Sequence, residues 1–140
     1  MEPLMEGTSV DTLNALLRSI AADKQLNNDH LMALMHLCGH QGDLATAFVM
    51  GALRLLDIPD SVERLVAHDS ERTIYKVRDL ESGISLTCRP ALRHCTCDRF
   101  VQVLMSDAIT CEHVLAAQLS EALGIMKETV ISDESFVEYL

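Results

Sequence analysis

The chain has 140 residues, an apolar share of 49% and a formal net charge of −10. Its length favours one compact domain, or a helical half joined to a smaller module. The negative charge argues against a chain that binds nucleic acid by itself, because phosphate recognition normally relies on a basic surface. The acidic start predicts no signal peptide, and the absence of a run of ~18 apolar residues predicts no membrane span.

Residues 1–58 have the apolar periodicity of α-helices. The first stripe repeats at i, i+3, i+4 and i+7. A second segment, 30–38, is apolar on nearly every side, which predicts burial inside the domain or against another chain. A third helix is expected over about 43–56. The first stripe consists of Leu13, Leu16, Leu17 and Ile20.

Residues 61–123 begin with a change to the period of β-strands. Three short runs, 62–67, 73–77 and 84–88, are rich in β-branched and apolar residues and are separated by polar turns. Strands that follow one another through short turns favour antiparallel pairing. We therefore predict a three-stranded antiparallel meander.

Helical patterns return after the third strand. A short helix is expected around 100–104, and a longer one from near Thr110 to Gly124. Residues 124–140 predict a short docked helix from about Ser132, within an acidic tail. The predicted fold is α+β: N-terminal helices, the meander and a C-terminal helical segment that carries a metal site.

Two tight pairs of metal-ligand side chains lie in this last part, Cys95 with Cys97 and Cys111 with His113. Thiolate and imidazole are ligands of tetrahedral Zn²⁺, and four of them leave no position open for water, so we predict one structural zinc ion. Structural zinc contributes ~10–16 kcal/mol in small modules, which is comparable with the ~5–15 kcal/mol stability of a whole domain. Loss of the metal should therefore unfold at least this part.

The spacing of each pair also predicts its backbone. A regular strand keeps residues two positions apart separated by its rise of ~3.3 Å per residue, so we expect a turn at Thr96 to bring Cys95 and Cys97 to one ion. Residues i and i+2 do not face each other within a helix, so we expect Cys111 at a helix start and His113 in the first turn. The positive end of that helix would favour the thiolate of Cys111.

Two other residues are candidate ligands. His94 adjoins Cys95 and could replace one of the four, whereas Cys88 falls in the third strand, where a buried structural cysteine is the better interpretation. The odd count of five cysteines fits reduced thiols in the cytosol or nucleus better than a disulfide framework.

The pattern Cys-x-Cys, spacer, Cys-x-His, preceded by strands and followed by a helix, resembles the SWIM-type zinc finger. Outside the finger core, 88–123, the helix at 29–34, the strand at 72–77 and the acidic last helix resemble the small SWIM-domain subunit of the Shu complex. The similarity extends from about residue 29 to the end. The motif positions are Cys95, Cys97, Cys111 and His113.

This resemblance implies a non-enzymatic adaptor that pairs with a RecA-like recombinase paralogue. The pair would promote homologous recombination and double-strand break repair by supporting recombinase filaments on single-stranded DNA, which this chain would reach only through the complex. It implies a nuclear location, with the cytoplasm as an alternative. No catalytic residue, small-molecule substrate or membrane partner is implied.

Two alternative functions are a stand-alone DNA-binding zinc module and an enzyme. Against the first, the arginines of the finger segment, Arg89, Arg93 and Arg99, are outnumbered by its acids, and the basic stripe with interleaved aromatics is missing. Against the second, the Cys and His residues are used as metal ligands, and the sequence has neither a phosphate-binding Gly-x-x-x-x-Gly-Lys loop nor a deaminase signature.

Overall fold

A computed structural model describes residues 4–39, 43–89, 94–97 and 111–139. Within these ranges no helix has the length and apolar content needed to cross a membrane. The helix predicted around 100–104 lies outside them. The elements, in chain order, are α1 Leu4–Asp23, α2 Asn28–Gly39, α3 Asp43–Asp57, β1 Val62–Ala67, β2 Thr73–Arg78, β3 Ser85–Arg89, β4 His94–Cys95, α4 Glu112–Leu123, β5 Lys127–Ile131 and α5 Asp133–Val137.

The N-terminal part is helical, as predicted. Asn27 caps the start of α2: its Oδ1 accepts a hydrogen bond from the N–H of His30 (2.8 Å). Within this chain only part of 30–38 is buried, and burial of the rest against another chain stays a prediction. Leu34 is fully buried, but Met32 is 70% exposed, so α2 has one face towards the core and one towards solvent.

The five strands form one sheet in the order β4-β3-β2-β1-β5. Neighbours from β1 to β4 pair antiparallel, whereas β5 pairs parallel with β1. The prediction of a three-stranded antiparallel meander is therefore wrong for the sheet as a whole, which is mixed. Residues 124–140 were expected to contain only a short helix, yet they also supply the edge strand β5. Glu128 of β5 pairs with Arg64 of β1, which lies 64 positions earlier in the chain. No local turn in the sequence therefore indicates this pairing.

Alternation along the strands gives the sheet two faces. The first face includes Val62, Val77 and Cys88. It packs against the helices α1, α2, α3 and α4 in the main buried cluster. The second face carries a small cluster in which α5 contributes Phe136. The buried strand residues of the second face are Leu65, Ala67 and Ile74.

The helix α4 lies between the N-terminal helices and the first face, and most of its side chains are buried. It packs closely on α3: a Cβ at Gly51 would lie 3.0 Å from Oε2 of Glu112, at the start of α4. It ends, as predicted, at Gly124, whose φ of 72° places it in the left-handed region that glycine tolerates. The start of α4 lies beside the end of β4.

Candidate metal centre

The first pair of cysteines lies where β4 ends. Cys95 is the last residue of β4, and the backbone leaves the strand at Thr96. Thr96 is held to Thr87 of β3 by two hydrogen bonds: its N–H donates to the Thr87 carbonyl (3.1 Å), and its Oγ1 accepts from the Thr87 N–H (3.1 Å). Both Cys95 and Cys97 are buried while Thr96 is exposed. The strand ends at Cys95, just before Thr96, where a turn was predicted, and the two cysteines converge on one side.

The second pair lies at the start of α4. Cys111 is the N-cap residue, and its Sγ accepts a hydrogen bond from the N–H of Val114 (3.5 Å). His113 follows in the first turn. Both placements confirm the prediction from the spacing. The unpaired N–H groups and the positive end of the helix dipole lie at this position, which favours negative charge on the sulfur.

The fold brings all four predicted residues together. One ligand atom from each of Cys95, Cys97, Cys111 and His113 lies within 4.8 Å of the others, and all four residues are buried. Three sulfurs and one imidazole nitrogen at such separations match the donor set of a closed tetrahedral site. The cluster could therefore hold a metal ion, with no side left open for a reacting ligand.

The ring of His113 has one nitrogen engaged and one without a partner. Nε2 lies 3.0 Å from Oδ1 of Asp79. Nδ1 is buried and has no hydrogen-bond partner within the described part of the chain. An unsatisfied buried nitrogen costs ~1–3 kcal/mol unless something binds it. A metal ion coordinated by Nδ1 would satisfy that atom.

Electrostatics within the cluster also favour a cation. Hydrogen bonds from Cys111 and then Cys95 lower the pKa of Cys97 well below its usual range. Hydrogen bonds with Cys95 and then Cys97, together with burial, raise the pKa of Cys111 far above its usual range. Burial lowers the pKa of His113, but the thiols of Cys111 and Cys97 outweigh it and raise the value to about 10. Three crowded sulfurs cannot all ionise by themselves, whereas a divalent cation would stabilise them as thiolates.

Of the two other candidate ligands, Cys88 is confirmed as a buried cysteine of β3. Its Sγ lies 3.3 Å from Sγ of Cys95, with which it is paired across the strands. It does not belong to the group of four within 4.8 Å. His94 begins β4, and its side chain lies outside what the structure describes.

Two acids beside His113 were missed by sequence reasoning. Asp79, Glu112 and His113 form a second group with ligand atoms within 4.8 Å of one another. Glu112 is the central residue of the Cys-x-His pair, so the sequence already places it beside the site. Asp79 is 34 positions from His113, and its only local signal is a turn pattern, Asp79-x-x-Ser82-Gly83, which indicates a hairpin but no contact with the metal site.

A small α+β domain with a buried Cys₃His cluster between a strand end and a helix start has the donor set of zinc-finger proteins. The comparison with known sequences agrees with this class. No family model matches the chain. No solved structure matches it either.

Three curated relatives match, and all are named zinc finger SWIM domain-containing protein 7. The mouse protein is 31% identical over 102 residues, covering 69% of this chain and 66% of that protein, just under two thirds of its length. The human protein is 24% identical over 133 residues (93% and 87% of the two chains), and the zebrafish protein 29% identical over 133 residues (91% and 86%). The chain belongs to the zinc finger SWIM domain-containing protein 7 family.

Proposed function

We propose that Cys95, Cys97, Cys111 and His113 hold one structural zinc ion. The observation that carries the proposal is the convergence of four buried donors within 4.8 Å, in which His113 Nδ1 has no other partner among the described residues. Bound there, zinc supplies a cross-link between the end of β4 and the start of α4. The protein's own part is to bury the four donors and fix their directions.

Metal analysis of cysteine variants tests this assignment. Cys97→Ser removes a proposed ligand and should abolish stoichiometric zinc. The matched control is Cys88→Ala, which removes another buried sulfur from the same strand region but none of the four donors. It should retain one zinc ion per chain. One zinc ion per chain in both variants would show that the metal is held elsewhere.

We further propose that the chain is a non-enzymatic adaptor of homologous recombination and double-strand break repair. It would pair in the nucleus with a RecA-like recombinase paralogue and support recombinase filaments on single-stranded DNA. The support is its SWIM-type motif and its membership of the family. A closed metal site has no coordination position for a substrate, which favours binding over catalysis.

Exposed methionines offer a candidate surface for such a partner. Met32 of α2 is 70% exposed and Met50 of α3 is 50% exposed. Methionine side chains are flexible and polarisable, and they are used at adaptable protein-binding surfaces. Met35 of α2, by contrast, packs against the main cluster, so it is the wrong residue with which to probe a partner.

Affinity purification from cells tests the adaptor proposal. Met32→Asp and Met50→Asp should each reduce recovery of a recombinase paralogue without lowering the zinc content. Ile84→Asp is the matched control, because Ile84 is an equally exposed apolar residue (59%) in the β2–β3 turn. Recovery of unrelated proteins only, from the wild-type chain, would overturn the adaptor role and leave the zinc proposal standing.

Direct DNA binding by the isolated chain is the weaker candidate. Arg64 is paired with Glu121 and Glu128, and Arg89 donates to the carbonyl of Tyr139 (3.3 Å). These arginines are therefore committed to contacts within the chain. Salt-dependent binding of single-stranded DNA by the purified zinc-loaded chain would reverse this preference.

A further inference from the structure

The β2–β3 turn contacts the metal site through one carboxylate. Oδ1 of Asp79 lies 3.0 Å from Nε2 of His113, whose side chain is fully buried. The Asp79 side chain is itself only 14% exposed. The pair is therefore largely shielded from water, where a charge-assisted hydrogen bond is stronger than at the surface.

Asp79 is itself held in place by its turn. Its Oδ2 accepts hydrogen bonds from the N–H of Ser82 (2.9 Å) and from the Ser82 hydroxyl (2.9 Å). Its backbone N–H donates to the Ile84 carbonyl (2.8 Å), and its carbonyl accepts from the N–H of Gly83 (2.8 Å). Gly83 adopts a φ of 78°, which a residue with a side chain rarely does. One carboxylate oxygen is thus fixed by the turn while the other is directed at His113.

The contact with Asp79 determines which ring nitrogen carries the proton, because Nε2 lies 3.0 Å from Oδ1 of that carboxylate. An ionised carboxylate can only accept, so Nε2 of His113 must be the donor. Metal binding requires the neutral imidazole, and its lone pair then lies on Nδ1, the buried atom without a partner in the described residues.

A second acid lies near the same nitrogen but does not replace Asp79. Oε2 of Glu112 is 4.0 Å from Nε2, beyond hydrogen-bonding distance. Glu112 is buried and packs against Gly51 of α3. It adds negative charge beside the ring without fixing the direction of a ring N–H.

We propose that Asp79 is the positioning residue of the metal site: through Oδ1 it fixes the tautomer and the orientation of His113, so that Nδ1 coordinates the ion. This inference rests on the proposed zinc site and extends it to a turn outside the SWIM motif. Partners of this kind typically change metal affinity ~10–100-fold. The β2–β3 turn would accordingly be part of the zinc site, although it supplies no ligand.

The test compares zinc affinities, measured by chelator competition, for the full chain and its variants. Asp79→Ala removes the acceptor and should weaken zinc binding ~10–100-fold. Asp79→Asn keeps an acceptor oxygen but no charge, so its zinc affinity should fall by less than that of Asp79→Ala. The matched control is Asp69→Asn, because Asp69 is an exposed turn aspartate of the β1–β2 connection and should bind as the wild type does.

Two readouts separate positioning from a general structural role. Nitrogen NMR of His113 in the zinc-loaded wild type should show a metal-bound Nδ1 and a protonated Nε2. The cobalt-substituted protein should show a shifted visible spectrum in Asp79→Ala but not in Asp69→Asn. Coordination through Nε2, or unchanged affinity and spectrum in both Asp79 variants, would overturn the inference. A wild-type chain that binds no zinc would instead overturn the zinc proposal itself.

Discussion

The two faces of the sheet are built from the same strands but differ in how much they bury. The first face joins four helices and the Cys₃His cluster in one core. The second face is covered by α5, a helix of five residues, and its buried cluster is Leu65, Ala67, Ile74 and Phe136. Neighbouring residues of one strand therefore belong to buried clusters of very different size.

The difference explains where a metal is useful. On the first face, α4 must be fixed against α1, α3 and the sheet at once, and its start is the point where Cys111 and His113 meet the end of β4. On the second face the chain needs only local contacts: Phe136 packs in the small cluster and Lys76 Nζ lies 5.6 Å from the centre of the Tyr139 ring. A metal cross-link at the first face would therefore stabilise most of the core.

The largest expected effect is that of metal removal. Zinc binding of ~10–16 kcal/mol in small modules equals or exceeds the ~5–15 kcal/mol stability of a typical domain. Treatment with a strong chelator should therefore abolish the cooperative unfolding transition, measured by far-ultraviolet circular dichroism, and adding zinc back should restore it. A chelated chain with an unchanged transition would show that apolar packing on the first face is sufficient without a cross-link.

A cavity on the first face should have the next largest effect. Leu115 of α4 is fully buried in the main cluster, so Leu115→Ala should lower the free energy of unfolding by ~3–5 kcal/mol, in the upper part of the range for such changes. The half-buried Leu123 of the same helix gives the control, since Leu123→Ala should cost clearly less in denaturant titrations. Equal losses of unfolding free energy in the two variants would mean that α4 is packed no more tightly at its middle than at its end.

The sequence predicts best what depends on short spacing. Cys95–Cys97 and Cys111–His113 each constrain their own backbone, because two residues of a pair must reach one point, and this is why the turn after β4 and the start of α4 were predictable. The three middle strands were predictable for a similar reason, since period-two patterns and polar turns are local.

What depends on distant pairing was not predictable. Strand β5 has the β-branched run Thr129–Ile131, but its parallel partner β1 lies far back in the chain, and no local turn links the two strands. The Asp79–His113 contact was missed because a turn aspartate has the same local pattern whether or not it meets a ligand. The exposure of Met32 depends on which side of α2 faces the core. A helix that is apolar on nearly every side gives no sequence signal for that side.

A cavity on the second face should cost less than one on the first. Phe136→Ala removes the only α5 side chain in the second cluster. Because the short helix can shift to fill the space, we expect about 3 kcal/mol or less, at or below the usual range for phenylalanine. The exposed neighbour Val137 (61%) supplies the control, with ~0.5 kcal/mol or less expected for Val137→Ala. A cost for Phe136→Ala above that of Leu115→Ala would reverse the ranking of the two faces.

The smallest expected effect concerns the ionic contacts that link β1, α4 and β5. Arg64 Nη1 lies 2.6 Å from Glu121 Oε2, and Nη2 lies 2.7 Å from Glu128 Oε1. Tyr75 also donates to Glu121 (2.8 Å). Both carboxylates are about half exposed (48% and 46%), and exposed pairs contribute only ~0–1 kcal/mol.

Arg64→Ala should therefore lower the free energy of unfolding by ~1 kcal/mol or less in low salt. The loss should shrink as the ionic strength rises, because salt screens exposed charges, and the zinc content should not change. Tyr75→Phe is the control, since it removes a neutral donor to the same Glu121 carboxylate and should depend less on salt. A salt-independent loss of several kcal/mol for Arg64→Ala would mean that this network, and not the metal centre alone, fixes α4 on the first face.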